Sequence, residues 1–149
     1  MNTLRDIIDI PPVWTLLAMA GAYGIADVFP GFGSGTVAPG IAIMVVGFTI
    51  AIWAVVTLMN AQTSVMPRAK PSLLVRAGPY RYSRHPIYLA DLVILGGWCV
   101  VTGQLATLLL IFPLGWLLYR RFAKPEEERL ERRFGHGYRA WHAETPRWL

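Results

Sequence analysis

Apolar positions along this chain fall into four solid blocks, not into alternating or one-sided runs. Residues 13–29 carry a single charge, Asp27, near the far end. Residues 40–59 carry none, and residues 87–101 carry only Asp91. Residues 105–122 stay uncharged until Arg120 and Arg121. A membrane-spanning helix needs about 20 mostly apolar residues. The second block meets that length, the first and fourth come close, and the third reaches it if its polar start is buried in protein. The pattern predicts an all-α polytopic membrane helix bundle forming one domain over residues 1–149. About four transmembrane helices are expected at 13–29, 40–59, 87–101 and 105–122. Polar segments lie at 61–86 and 123–149, the second holding a short cytoplasmic C-terminal helix. Ala18-Met19-Ala20 looks like a signal cleavage box, but Asp6 and Asp9 beside Arg5 make the wrong leading region for a signal peptide.

Composition agrees with the pattern. Hydrophobic residues make up 54% of the 149 and charged residues 15%, too few to cover the surface of a small soluble domain. Disorder and a nucleic-acid module are excluded, despite a net charge of +5. The lone Cys99 forms no internal disulfide. The cations are unevenly placed. Arg68, Lys70, Arg76, Arg81 and Arg84 lie between the second and third blocks. Lys124, Arg129, Arg132, Arg133, Arg139 and Arg147 follow the fourth. The other two connections, near residues 30–39 and 102–104, have no charge. Lys and Arg gather on the cytoplasmic side, which puts both termini and both polar segments there. The connector Gly31-Phe32-Gly33-Ser34-Gly35 has a faint phosphate-loop spacing, but it has no lysine and no preceding strand, and it falls on the opposite side.

The two polar segments carry the chemistry. In the first, Gly78-Pro79 marks a turn, and Pro86 suits the first turn of a helix, where its missing N–H costs nothing. Arg84, Tyr88 and Asp91 are spaced i, i+4, i+7 and share one face. An aspartate inside a span faces protein or a wet cavity. Each of these residues alone fits an interfacial anchor or a cap; the whole string above Asp91 describes a polar pocket at the mouth of the bundle. In the second segment, Pro125 and three glutamates favour a helix start, Glu128 and Arg132 form an i, i+4 pair, and Gly135 stops the helix. Leu130 and Phe134 give that helix a narrow apolar stripe, so by its residues alone it is an amphipathic surface helix.

The two strings, taken together, carry a resemblance. Gly78-x-Tyr80 followed by Arg84-His85-Pro86-Ile87-Tyr88 resembles the first motif of the isoprenylcysteine carboxyl methyltransferase and phospholipid N-methyltransferase superfamily. Glu126-Glu127-x-x-Leu130-x-x-x-Phe134-Gly135-x-x-Tyr138, continuing to Trp141 and Pro146-Arg147, resembles its partner motif. The likeness covers about half the chain, from Leu73 onward; the first two blocks match in hydropathy only. It implies an integral membrane methyltransferase that uses S-adenosyl-L-methionine, held between the two cytoplasmic segments. Carried over by position, cofactor contacts come from Leu73, Leu74, Val75, Tyr80, His85, Pro86, Ile87, Tyr88 and Glu126, with Arg84 or the amides opening the third helix suited to the methionine carboxylate. The sequence departs from the pattern at Leu89-Ala90, where a glycine is usual, and at Trp141, where a tyrosine is common. It departs again at Phe122, where the prenylcysteine enzymes carry a substrate-binding arginine. Arg121 is the neighbour able to shift into that role.

Methyl transfer from a sulfonium needs alignment and dryness more than acid–base help. A carboxylate acceptor needs no base; an amine must lose a proton, for which Glu127, His85 or Asp91 is expected to serve; a thiol attacks as thiolate. The expected acceptor is a small apolar or lipid-tethered molecule reached from the bilayer. No metal site is expected, since no His/Cys cluster has ligand spacing. Two other readings compete: a membrane lipid or sterol-type reductase using a nicotinamide cofactor, which lacks a GxGxxG fingerprint, and a non-enzymatic scaffold or transporter, which would spread polar residues through the bilayer. Oligomeric state does not follow from the sequence.

Overall fold

The computed structural model describes residues 9–25, 37–65, 72–103 and 105–149. Asp27, the glycine-rich connector, Arg68 and Lys70 lie outside the described residues. Among those described, the chain is helix and turn. α1 spans Pro11–Gly24, α2 Val37–Asn60 and α3 Pro86–Val101. A 3-10 run, Leu105–Leu110, leads into α4, Ile111–Leu118; a π-helical turn, Tyr119–Ala123, joins α4 to α5, Lys124–Phe134; and α6 is His136–Glu144.

Two boundaries differ from expectation. α1 starts at Pro11 and ends at Gly24, so 12 of the 17 residues expected at 13–29 are seen as helix. Most consequentially, the expected separate C-terminal helix at Glu126 is a direct continuation of the fourth: Ala106–Phe134 is one run of 29 residues. Pro125 would normally break such a run, because it cannot bond the carbonyl four residues back. That carbonyl belongs to Arg121, inside the π turn, where the backbone register is already displaced. Gly135 then ends α5 at φ 49°, left-handed backbone that favours glycine.

α2 shows what its surroundings are. Its buried residues are Gly40, Gly47 and Ala54, seven apart. Its exposed residues include Ile41, Val45, Phe48, Ile52, Val56 and Met59. Small residues point inward and large apolar ones outward, which is the pattern of a helix bathed in lipid. Among the described residues, Val37–Asn60 and Ala106–Phe134 are the two helices long and apolar enough to cross a membrane. Pro86–Val101 is apolar but shorter.

The seven-residue seam seats α2 antiparallel on α3. A Cβ at Gly40 would stand 2.5 Å from the Val101 amide nitrogen, and one at Gly97 would stand 2.8 Å from the Gly40 carbonyl oxygen. A Cβ at Gly47 would meet the Ala90 carbonyl at 3.1 Å. The methyl of Ala90, one departure from the family pattern, is therefore accommodated by a glycine on the opposite helix. Gly78, at φ +57°, lies against the far end of α2, where a Cβ would come 2.6 Å from Thr57 Oγ1. α1 lies across α3 and α4: Trp98 Nε1 donates to the Met19 carbonyl at 3.1 Å, and buried Thr15 hydrogen-bonds with Asp91.

Adjacent glycines on α3 test the seam. Gly97→Ala drives a methyl into α2 backbone and is expected to cost about 1–3 kcal/mol. Gly96→Ala meets only the Ile111 side chain, at 3.5 Å; it should leave stability unchanged or raised by a few tenths of a kcal/mol. Thermal melting of the two variants in detergent separates them.

Candidate active site

The start of α1, the end of α2, the start of α3 and α5 meet around one cavity of about 360 Å³, within the range of small-molecule sites. One wall is the tract before and into α3. Residues 83–86 are all buried, held from several sides. The Arg84 amide donates to the Pro146 carbonyl at 3.0 Å, and Ser83 Oγ donates to the Arg147 carbonyl at 2.9 Å. Pro86 opens α3 with His85 at the N-cap, but the imidazole makes no cap bond. It turns instead toward the acidic pair, with Nε2 3.2 Å from Glu127 Oε1 and Nδ1 3.8 Å from Glu126 Oε2. Tyr88 stacks on it with ring centroids 5.3 Å apart.

The paired glutamates do different work. Glu126 lines the cavity and accepts the Tyr88 hydroxyl at 2.8 Å. Glu127 stands behind the wall. Arg84 Nη1 donates to its Oε1 at 2.9 Å, and Arg147 donates to both oxygens, at 3.0 and 3.1 Å. Burial alone would raise the Glu127 pKa. Hydrogen bonds from His85 and Arg147, together with the charges of His85 and Arg84, outweigh it and bring the carboxyl to about 2. A carboxylate held so firmly ionised is a poor proton acceptor at neutral pH, and its contacts tie Arg84, His85 and Arg147 together. Tyr80, in the 3-10 turn Gly78–Arg81, has its phenol pushed upward by burial and by Glu126, and stays neutral. Its carbonyl accepts Trp141 Nε1 at 3.2 Å, which ties α6 to the turn.

All ten residues expected around the cofactor line this cavity: Leu73, Leu74 and Val75 before the turn, Tyr80 in it, Arg84, His85, Pro86, Ile87 and Tyr88 at the helix start, and Glu126 opposite. Arg84 Nε is buried with no hydrogen-bond partner. The three residues expected at the reacting centre do not line it. Asp91 faces α1 at Thr15. Arg121 is spoken for elsewhere: its Nε and Nη2 donate to Asp9 at 2.6 and 2.9 Å, and its guanidinium lies over the Trp14 ring. The expected substitute for the missing substrate arginine thus holds an intramolecular carboxylate. Phe122 is buried, tilted against Tyr88 with ring centroids 6.2 Å apart.

Sequence reasoning missed two parts of the site. Ile10, Pro11 and Pro12 at the start of the first helix, Val55 and Leu58 of the second, and Thr63, Ser64 and Val65 after it also line the cavity. Pro11-Pro12 marks a helix start, but nothing in the sequence brings that start to His85. The tail was the other omission: Pro146-Arg147 stood in the motif without a role, and in the structure it clasps both the His85 tract and Glu127.

The clasp has a pH signature. Because the folded Glu127 carboxyl titrates below its ordinary 4.5, its stabilising contribution is complete above about pH 4.5 and is lost as pH falls toward 2. Glu127→Gln should lower the melting temperature at neutral pH. The gap between variant and parent should close across that window in parallel melts.

The Phospholipid methyltransferase family model matches residues 36–137 of the chain, about two thirds of its length. The match reaches further upstream than the motifs do, taking in α2, and it stops before Trp141 and the tail. Among proteins of curated function, none matches closely enough to count as a relative. A family match over most of the chain, on a helical protein with lipid-type helix faces, decides the assignment: this chain belongs to the phospholipid methyltransferase family.

Proposed function

We propose that the protein is an integral membrane methyltransferase that takes its methyl group from S-adenosyl-L-methionine and passes it to a small apolar or lipid-tethered acceptor at the cytoplasmic face. The observation that carries this reading is convergence. Nine residues from the tract 73–88 and Glu126 from the second motif line one cavity whose polar groups suit the donor. Leu74, Val75 and the neutral Tyr80 offer an apolar slot for adenine. Glu126, its second oxygen unengaged by Tyr88, is an acceptor for ribose hydroxyls or the amino group. The amides opening α3, beside Arg84, suit the methionine carboxylate.

When bound, the donor supplies an activated methyl on sulfur, transferred in line to the acceptor's lone pair. The chain's own task is to hold and to exclude. The Glu127 node fixes Arg84 and His85; Ile10, Pro11, Val55 and Leu58 give the acceptor side an apolar lining. Of the three groups able to take a proton from an amine, His85 alone lines the cavity, with its Nε2 held against Glu127. Carboxylate, amine and thiol acceptors all fit this lining. We further propose four membrane crossings with both termini cytoplasmic. The cavity-lining ends of α1, α2 and α3 then share one leaflet with the cationic segments, as the positive-inside rule requires.

Calorimetric titration of purified protein with S-adenosylhomocysteine tests the cofactor reading. Saturable binding is expected, weakened at least about tenfold, or roughly 1.4 kcal/mol, by Glu126→Ala. No heat from folded protein, or equal affinity in the variant, defeats it. Transfer of labelled methyl to extracted membrane lipids then identifies the acceptor class.

A further inference from the structure

α1 is tied to the rest of the molecule at three heights, and the ties differ in kind. Near its end, the Met19 carbonyl accepts Trp98 Nε1. Midway, buried Thr15 meets buried Asp91. At its start, the Asp9 carboxylate takes two bonds from Arg121, whose side chain is 48% exposed, and a third from Trp14 Nε1 at 3.1 Å. The first two ties are sheltered among helices. The third is an ion pair at the surface, open to water and salt. Between the second and third ties lie Ile10, Pro11 and Pro12, which wall the cavity. Two prolines and the bond from the Val13 amide to the Ile10 carbonyl stiffen this stretch. It therefore moves with the helix and not as a slack loop.

We propose that the Asp9–Arg121 pair is a latch. Closed, it holds the start of α1 against the π turn and keeps the cavity wall in place. Released, it lets that end swing about the Thr15–Asp91 and Met19–Trp98 ties, widening the mouth between α1 and the end of α2. Arg121 is well sited for this, because it stands in a π turn, a register defect able to absorb a local shift. Residues 9–12 lie outside the stretch matched by the family model. This inference needs no cofactor and stands apart from the proposed function.

Thiol accessibility in the full-length protein in nanodiscs tests it. Leu74, half-buried on the cavity wall, is replaced by cysteine in a Cys99→Ala background, and its alkylation rate by a water-soluble maleimide is read. Asp9→Asn and Arg121→Gln should each raise that rate by roughly two- to fivefold. The charge-reversed pair, Asp9→Arg with Arg121→Asp, should restore slow labelling. Added salt should speed the parent but not Asp9→Asn. Buried Cys99, left in place in chains with native Leu74, reports general loosening; its labelling should stay slow in every variant. Unchanged Leu74→Cys rates, failure of the reversed pair to slow them, or parallel acceleration at Cys99 overturns the latch.

Discussion

One ionised carboxylate, Glu127, holds the working end of this molecule together. It collects Arg84 and His85 from the tract before α3 and Arg147 from the tail, and it reaches them from α5. Three chain segments far apart in sequence therefore converge on two oxygen atoms. Buried charge is expensive unless every partner is present. Here the partners arrive in surplus, and so the carboxyl stays ionised and its neighbours stay fixed. The cavity gains its shape indirectly. Arg84 and His85 line it, but their orientation is set from behind by a residue that does not.

The acidic pair divides its labour because of helical geometry. Adjacent residues on a helix point about 100° apart. Glu126 thus looks into the cavity while Glu127 looks into the clasp. That arrangement requires α5 to enter at a defined rotation, and the unbroken run from Ala106 to Phe134 transmits it from the membrane-embedded part. The π turn adds a fixed extra rotation before the glutamates. A separate helix on a loose connection would give no such control.

Much of this was legible in the sequence, and what was not has physical reasons. One wall of the cavity was readable because most of it comes from short strings whose residues are neighbours along the chain. The contributions of Ile10–Pro12 and Val55–Leu58 were hidden because they arise only where helix ends approach one another. The fate of Arg121 was hidden likewise: its partner Asp9 lies 112 positions away. The continuous fourth helix was misread because Pro125 followed by three glutamates is a sound local start signal, overridden by a backbone defect one turn earlier. In α2, an all-apolar helix, hydrophobic periodicity carries no information about which side is buried. The contrast between glycine and bulky residues does, at Gly40, Gly47 and Ala54.

The backbone-to-backbone seam between α2 and α3 has an evolutionary consequence. Glycine and alanine make that contact, and the larger side chains of Val55 and Leu58 lie beyond it, on the cavity wall. Substitutions there reshape one side of the cavity while the wall built from residues 73–88 keeps its sequence. A scaffold so partitioned lets descendants of one enzyme acquire new clients by a few substitutions on a single helix.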